Sequence, residues 1–259
     1  MKNLVPVLAA AVFLASCAGN TTEKKANTTE TKIASKNDST GSSSSQAPSG
    51  PAADAATILA RPQVPMLCYH HITEGVSEGP YTVTAETFRR HLQALADSGY
   101  HSILPDQYYN YLVYGTPLPP KPFLISFDDT DKEQFTIGKT EMDKHGFKGV
   151  FFIMNISIGK PRYMTREQIK QLSDEGNTVA CHTYDHSRVD RYKLANEVEY
   201  RGRKQTVNDF DFQITDPKKV LEEIIGKPVT YFAYPFGVWK PYDLPEIEKR
   251  GIKMAFQLA

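Results

Sequence analysis

The 259-residue sequence has no excess of either charge, no long apolar run and only three cysteines. Its 30 Lys and Arg residues balance 30 Asp and Glu residues, so nothing indicates an electrostatic partner such as nucleic acid. It contains no run of about 18 apolar residues, which excludes a membrane-spanning helix. With 40% hydrophobic and 23% charged residues, the average composition is that of an ordinary globular chain.

Aromatic residues are absent from residues 20–57, which hold 14 Ser and Thr residues and whose four acidic and four basic residues cancel. Such a stretch cannot bury enough apolar surface to offset the entropy lost on ordering. We therefore predict a disordered tether over residues 17–57. The remainder carries 27 of the 28 aromatic residues, which predicts a single domain over residues 58–259.

The first 16 residues have the features of a lipoprotein signal peptide. Lys2 precedes an apolar stretch over residues 4–14 that is too short to span a bilayer. The run LASC at residues 14–17 resembles a bacterial lipobox, in which cleavage before the cysteine frees a thiol for diacylglycerol attachment. We predict lipidation of Cys17 and export to the cell envelope, on the periplasmic or surface face of the outer membrane. An ordinary secretory signal with a coincidental cysteine is the alternative.

The two remaining cysteines, Cys68 and Cys181, each lie at the end of an apolar run beside a histidine. Export permits a disulfide between them. We predict buried free thiols instead, because a free cysteine packs as a small hydrophobic residue.

Apolar runs of strand length alternate with amphipathic helical segments after residue 63. Strands are predicted at 64–69, 102–104, 123–127, 149–153, 177–181, 229–234 and 252–256. Helices are predicted from Thr84 to Gly99, Pro105 to Tyr114, Thr165 to Gly176 and Asp216 to Gly226. The alternation predicts an α/β fold with a parallel sheet, either open or closed into a barrel. Residues 187–212 break the rhythm and are predicted to be an insertion or a long loop.

Side chains suited to chemistry collect where the predicted strands end. Asp128 and Asp129 directly follow one apolar run, and His182 and His186 follow another. In α/β barrels the site lies at the carboxyl ends of the strands, so we expect the two pairs to meet. Two histidines and one carboxylate leave an open coordination position, which is typical of catalytic zinc.

Each pair also has a simpler interpretation. The Asp pair could belong to an ordinary Asp-Asp-Thr-Asp turn, and the histidines could be one core residue and one surface residue. Asp185 could itself be a ligand, although its place between the histidines favours a solvent-facing or imidazole-orienting role. Two histidines and a carboxylate also bind the iron of non-haem iron oxygenases. Those enzymes usually have antiparallel folds, which the alternation of strands and helices in this sequence argues against.

Three short motifs occupy the ends of the third, fifth and sixth predicted strands. They are SFDDT at residues 126–130, HTYDH at 182–186 and AYPFG at 233–237. They resemble the Thr-Phe-Asp-Asp-Gly, His-Ser/Thr-x-x-His and Arg-x-Pro-Tyr motifs of the polysaccharide deacetylases, the NodB-homology family of carbohydrate esterases. The segment MLCYHHI at residues 66–72, at the start of the domain, looks like the corresponding segment of family members that act on exopolysaccharide. The resemblance covers about residues 62 to 259 and implies a distorted (β/α) barrel of about seven strands.

The resemblance also implies a role for each matching residue. Asp129, His182 and His186 would hold a divalent metal, commonly zinc, and Asp128 would be the general base. The backbone N–H of Phe236 would bind the oxyanion. The residues expected to contact substrate are Tyr234, Pro235, Phe236, Gly237, Trp239, His70 and His71.

The chain departs from the family pattern at three points. Thr130 replaces the usual Gly, so its hydroxyl is expected to reach the metal or the substrate. Ala233 replaces an Arg that positions the base, so Asp128 is expected to be less well oriented or to be steadied by another group. The sequence ends at Ala259, before the motif that supplies a His as general acid, which predicts a C-terminally incomplete domain without its last barrel element.

We therefore expect a lipid-anchored, metal-dependent hydrolase that removes acetyl groups from an N-acetylated exopolysaccharide or cell-envelope glycan, with no protein partner predicted. His70 and His71 are the candidates to replace the missing acid. A lipoprotein that binds glycan without turnover is one alternative, although a pure binder has no need of a complete Asp and His set. An O-acetyl esterase of the xylan type is another, because the same attacking water can reach either carbonyl.

The lipobox generates a prediction about localisation. Because acylation of Cys17 is the expected anchor, Cys17→Ala should release the protein from membranes. The measurement is the distribution of parent and variant between membrane and soluble cell fractions. A variant that stays in the membrane fraction as the parent does would show that the lipobox interpretation is wrong.

Overall fold

The computed structural model describes residues 50–200 and 203–258. The predicted signal peptide, Cys17 and most of the predicted tether lie outside these residues. The end of the predicted tether, however, is helical, because α1 (Ala55–Ala60) begins after the capping residue Asp54 and buries Ile58. Helical structure is therefore present before the predicted boundary at residue 57.

Short helices alternate with short strands along the rest of the described chain. The other helices are α2 (Ala85–Asp97), α3 (Pro105–Tyr114), α4 (Thr140–Asp143), α5 (Arg166–Asp174), α6 (Asp216–Ile225) and α7 (Asp243–Lys249). The strands are β1 (Met66–Tyr69), β2 (His71–Thr73), β3 (Thr82–Thr84), β4 (His101–Ser102), β5 (Pro122–Phe127), β6 (Val150–Ile153), β7 (Thr178–Cys181), β8 (Asn196–Tyr200), β9 (Arg203–Val207), β10 (Tyr231–Ala233) and β11 (Met254–Phe256). Two π-helical turns, Gln134–Lys139 and Asp211–Thr215, lead into α4 and α6.

Seven of these strands form one parallel sheet. Six of them follow the order β1-β5-β6-β7-β10-β11, and β4 pairs with the first two residues of β5. Among the described residues β1 and β11 do not pair with each other, so the sheet curls without closing. This arrangement confirms the predicted α/β fold and its distorted (β/α) barrel. No helix in the described part of the chain has the length and apolar character that crossing a membrane requires.

Local signals explain where the predicted helices begin and end. In α5, Thr165 accepts a hydrogen bond from the Gln168 backbone N–H at 3.3 Å, and the Gln168 side chain accepts one from the Thr165 N–H at 2.9 Å. This reciprocal pair is the predicted capping box. Helix α3 starts at Pro105 and stops at Gly115, whose φ of 74° is the left-handed conformation that glycine adopts readily.

Buried side chains on the two faces of the sheet form two apolar clusters. Along β5, Ile125 and Phe127 belong to one cluster and Leu124 to the other, as expected when successive side chains point to opposite faces. Along β6, Phe151 and Phe152 divide in the same way. Because both faces are covered, the strands consist of continuous apolar runs, and the polar residues are displaced to the strand ends.

The structure corrects the prediction for residues 187–212 in part. This segment contains the antiparallel hairpin β8–β9, with Glu197 paired to Thr206, rather than only loop. Helices α4 and α7 and the small β2–β3 pair were also not predicted. Cys68 and Cys181 are free thiols as predicted, Cys181 being buried and Cys68 partly buried.

Candidate metal centre and active site

The carboxyl ends of β1, β5, β7 and β10 lie at one edge of the sheet. The register places Tyr69 beside Phe127 and Phe232 beside Cys181, so the residues that follow them come together. They surround what we call the central cleft, which is lined by His70, His71, Tyr81, Asp128, Asp129, His182, His186, Tyr234, Phe236 and Leu258. The expected meeting of the Asp pair and the His pair is therefore observed.

Asp129, His182 and His186 present their ligand atoms to one point. Oδ1 of Asp129 lies 3.5 Å from Nε2 of His182 and 3.3 Å from Nε2 of His186, and all three ligand atoms lie within 4.8 Å of one another. Ligand atoms about 2.1 Å from a tetrahedral ion are about 3.4 Å apart, so the two measured separations suit a shared cation. The Asp129 Oδ1 atom is buried and has no hydrogen-bond partner in the structure.

The backbone orients the His182 ring for ligation. Its Nδ1–H donates to the carbonyl oxygen of Ala233 at 2.9 Å, which leaves the Nε2 lone pair facing Asp129. A hydrogen bond of this kind fixes the tautomer of a metal-binding histidine. The ring is 1% exposed and therefore has little freedom to turn.

Electrostatics favour a positive charge between these three residues. Burial opposes ionisation of Asp129, but the facing imidazoles outweigh it and hold the pKa at about 2. Burial opposes protonation of His182, but the carboxylates of Asp129 and Asp128 outweigh it and raise the pKa of that imidazole. Burial and the neighbouring charge of His182 lower the pKa of His186. A divalent ion would replace the proton that this set otherwise holds, so the residues fit a metal.

Asp128 faces the same cleft in a different state. The residue is 7% exposed, and its Oδ1 atom is buried without a hydrogen-bond partner. Burial raises the pKa of Asp128, and the charge of Asp129 adds to the rise. No Lys or Arg side chain among the described residues forms an ion pair with it, in keeping with Ala233 at the position of the family's Arg. The carboxylate is thus free to accept a proton.

Gln134 steadies the backbone around Asp128. Its side-chain amide donates to the carbonyl oxygen of His70 at 2.8 Å and to that of Asp128. The Asp128 N–H in turn donates to the Tyr69 carbonyl at 3.0 Å. Gln134 is fully buried, yet nothing in the sequence marked it, because its role depends on a π-helical turn that no simple pattern predicts.

A second acidic side chain pairs with a cleft histidine. Nδ1 of His71 forms a short hydrogen bond with Oδ2 of Asp131, and Nη2 of Arg162 lies 3.5 Å from the same oxygen. Asp131 is 4% exposed, and its hydrogen bond raises the pKa of His71. His71 is therefore more easily kept protonated than an ordinary histidine. Asp131 is the last residue of the Asp-Asp-Thr-Asp stretch, and the sequence pattern there indicates only a turn.

Thr130 does not reach the cleft, contrary to the expectation. It is fully buried, and its Oγ1 accepts a hydrogen bond from the Met154 N–H at 2.8 Å. The hydroxyl therefore joins the end of β5 to the end of β6 and is unavailable to a metal or a substrate.

The residues expected to contact substrate divide into two groups. His70, His71, Tyr234 and Phe236 line the cleft, whereas Pro235, Gly237 and Trp239 do not. Trp239 stacks on Tyr234, with ring centroids 6.1 Å apart, and is part of the packing beneath the cleft. At Gly237 a Cβ atom would overlap the backbone of Leu258, so this glycine permits a close approach between two chain segments. The structure therefore places four of the seven residues at the cleft and three outside its lining.

A polar groove continues from the central cleft on the far side of Phe236. Phe236 is 61% exposed, and its ring lies 4.5 Å from that of His186. We call this the side groove, and its lining consists of Asp185, Ser187, Arg188, Arg191, Tyr192, Asp209, Gln213 and Phe236. Asp185 thus lies in the side groove and is not one of the three converging ligands.

Comparison with known proteins identifies the family. A sequence profile described as polysaccharide deacetylase matches residues 115–255, more than half of the chain. The chain belongs to the polysaccharide deacetylase family. It is 28% identical over 192 residues to YxkH of Bacillus subtilis, a protein that carries the name of a polysaccharide deacetylase. That match covers 74% of this deacetylase-family chain and 63% of the length of YxkH.

Solved structures share the fold of this deacetylase-family chain. The Streptococcus pyogenes deacetylase PplD, solved with acetate, is 20% identical with a TM-score of 0.66, and the match covers 75% of this chain and 83% of PplD. IcaB from Ammonifex degensii is 24% identical with a TM-score of 0.62, over 74% of this chain and 82% of IcaB. The likeness agrees with the curled parallel sheet described above.

The convergence of the three ligand atoms predicts the outcome of removing one of them. His186→Ala should weaken binding of the tightest zinc equivalent by more than about 100-fold, because that is the upper range for loss of a merely supporting residue. Competition with a chromogenic chelator measures the affinity. His145→Ala is the control, since His145 stacks on Phe147 outside the cleft. Equal affinity in the two variants would contradict the assigned ligand set.

Proposed function

We propose that this protein is a divalent-metal-dependent hydrolase that removes acetyl groups from an N-acetylated polysaccharide, either an exopolysaccharide or a cell-envelope glycan. One observation carries the proposal: Asp129, His182 and His186 converge beside the buried, unpartnered carboxylate of Asp128. One carboxylate can remain a ligand while the other transfers a proton, which is the division that metal-assisted hydrolysis requires. Membership of the polysaccharide deacetylase family supports acetyl removal as the reaction.

Asp129, His182 and His186 would hold the metal, and zinc suits a set of one carboxylate and two imidazoles. When bound, such an ion supplies Lewis-acid polarisation of the acetyl carbonyl and lowers the pKa of water. The residues around it keep their own tasks. His182 is held in its ligating tautomer by the Ala233 carbonyl, so the site needs little rearrangement to bind.

Asp128 is the proposed general base. It accepts a proton from the attacking water on Oδ1, the carboxylate oxygen without a hydrogen-bond partner. Burial raises the pKa of Asp128, and a carboxylate whose pKa lies nearer to the working pH accepts a proton more readily. The backbone contacts from Gln134 keep the end of β5 in place during this step.

His71 is the proposed general acid for the leaving nitrogen. An amine leaves poorly unless it is protonated, so a protonated group must face the cleft. His71 lines the cleft, and its hydrogen bond to buried Asp131 favours the imidazolium. The N–H of Phe236 is the proposed donor to the developing oxyanion, since Phe236 lies beside His186 in the left-handed conformation at φ 60°.

The shape of the surface supports a polymeric substrate. The central cleft holds the reactive groups, and the side groove extends it past the exposed ring of Phe236. Arg188 and the exposed Phe236 in the groove offer a cation and an aromatic face to neighbouring sugar units. A single acetylated sugar would leave this groove unused.

We also propose that the enzyme works while anchored to the envelope through lipidated Cys17. If residues 18–54 form the flexible tether that their composition predicts, their root-mean-square span is about 35 Å. Such a reach lets a membrane-bound enzyme sample glycan around its anchor point. The support for this part of the proposal is the sequence of residues 1–57.

Replacing the base separates catalysis from metal binding. Asp128→Asn should reduce deacetylation of N-acetylglucosamine oligomers by about 10²–10⁴-fold, the usual loss when a general base is removed. It should retain the tightest zinc equivalent, because Asp129 makes that contact. Asp174→Asn, on the exposed face of α5, is the matched control. Acetate release and zinc content are measured on the same samples. An Asp128→Asn variant that is as active as the control would contradict the proposal. Faster acetate release by the parent from acetylated xylan than from the oligomers would contradict it as well.

The pairing of His71 with Asp131 predicts a pH effect. Because the Asp131 carboxylate raises the pKa of His71, the acid form persists to higher pH, and activity is lost as the pH rises through that pKa. Asp131→Asn removes the charge and should move the alkaline limb of the kcat/KM profile to lower pH. His71→Ala should abolish that limb together with most of the activity on amide substrates. An alkaline limb unchanged in Asp131→Asn would exclude His71 as the acid.

A further inference from the structure

A second group of potential metal ligands lies beside the first. Cys68 and His70 are two positions apart at the end of β1, and Asp128 lies at the end of the neighbouring strand β5. A ligand atom of each lies within 4.8 Å of the others, and Cys68 Sγ is 3.9 Å from His70 Nδ1. None of these three residues belongs to the set of Asp129, His182 and His186.

The three side chains have unused capacity for a cation. Asp128 is more than nine-tenths buried, and its Oδ1 atom has no hydrogen-bond partner. Cys68 is a free thiol, and its Sγ atom contacts the Nδ1 atom of His70. A buried carboxylate oxygen without a hydrogen-bond partner is costly, and a bound cation removes that cost.

The donor set selects for a thiophilic ion. Sulfur, imidazole nitrogen and carboxylate oxygen together suit Zn²⁺ and Co²⁺, whereas Mg²⁺ and Ca²⁺ prefer oxygen alone. Burial raises the pKa of Cys68 well above its usual value, and the charge of Asp128 adds to the rise. The thiol is therefore protonated in the absence of a cation, and binding of a divalent ion would release that proton.

We propose that Cys68, His70 and Asp128 form a second metal site, which takes Zn²⁺ or Co²⁺ after the Asp129, His182 and His186 site is filled. Occupancy of this site engages the carboxylate that the reaction needs as its base. Zinc in excess should therefore inhibit the enzyme, and this consequence, unlike the site itself, rests on the proposed function.

Cobalt provides a direct test, because a thiolate bound to Co²⁺ gives a charge-transfer absorption band in the near ultraviolet. The metal-free, full-length protein is titrated with Co²⁺ in the presence of a non-thiol reductant. The first equivalent should give no such band, and the second should produce it. Cys68→Ser should lose the band and one of the two bound equivalents.

The two other cysteines provide matched controls. Cys181→Ser should keep the band, because Cys181 is not among the three clustered residues. Cys17→Ser should also keep it, because the proposed lipidation takes up the Cys17 sulfur. A parent protein that binds a second equivalent without the band, or binds only one, overturns the proposal. Loss of the band in Cys181→Ser or Cys17→Ser with retention in Cys68→Ser overturns it as well.

An activity measurement then addresses the consequence. With zinc rising past one equivalent, the parent should lose activity and Cys68→Ser should lose much less. If neither protein releases acetate at any zinc level, the proposed function fails while the cobalt result still decides the site. If the band appears and excess zinc inhibits both proteins equally, binding at Cys68 does not govern the base, and the inhibitory role is excluded.

Discussion

The position of two adjacent carboxylates at one edge of a parallel sheet, one buried and the other partly buried, is the constraint on which this site depends. Asp128 and Asp129 directly follow β5, a strand with apolar clusters on both faces. A buried carboxylate is costly unless it is neutralised or paired. The two residues meet this requirement differently. Asp129 is held ionised by His182 and His186, whereas burial raises the pKa of Asp128. Neighbours in the sequence thereby acquire different chemistry.

Backbone strain is the second cost that the site imposes. Six non-glycine residues in the described chain adopt left-handed φ values, and five of them belong to the loops around the cleft. These five are Asp129, Thr130, Thr183, His186 and Phe236. Each such residue costs of order 1–3 kcal/mol and persists only where its surroundings hold it. The bond from Met154 to Thr130 and the bond from the His186 N–H to Thr183 at 2.9 Å are two of these restraints. The family usually has glycine at position 130, which adopts a left-handed φ readily. Threonine is held in that conformation by its hydrogen bond with Met154 instead.

Much of the fold, and the convergence of Asp129, His182 and His186, could be predicted because the signals are local. The cap at Thr165 and the stop at Gly115 act through residues a few positions away, and apolar runs identify buried strands wherever they occur. Parallel pairing then brings strand ends together, so the sequence alone predicts that the Asp pair and the His pair lie close to each other. The contacts of Gln134 and the pairing of His71 with Asp131 could not, because they join residues about 60 positions apart through loops of irregular backbone. The hairpin β8–β9 escaped prediction because its strands are largely polar and have no buried face to reveal a pattern.

No arginine in the described part of the chain pairs with Asp128, and this affects the whole edge of the sheet. An arginine would pair with Asp128, hold its pKa down and occupy the space around its free oxygen. The backbone carbonyl of Ala233 orients His182, and ligand atoms of Cys68 and His70 lie within 4.8 Å of a carboxylate oxygen of Asp128. Burial therefore raises the pKa of Asp128, and no Lys or Arg side chain in the described part of the chain is paired with it to exclude another cation. The same substitution that leaves Asp128 free to accept a proton also leaves it open to a metal ion, so the competition between these two charges is built into the edge of the sheet.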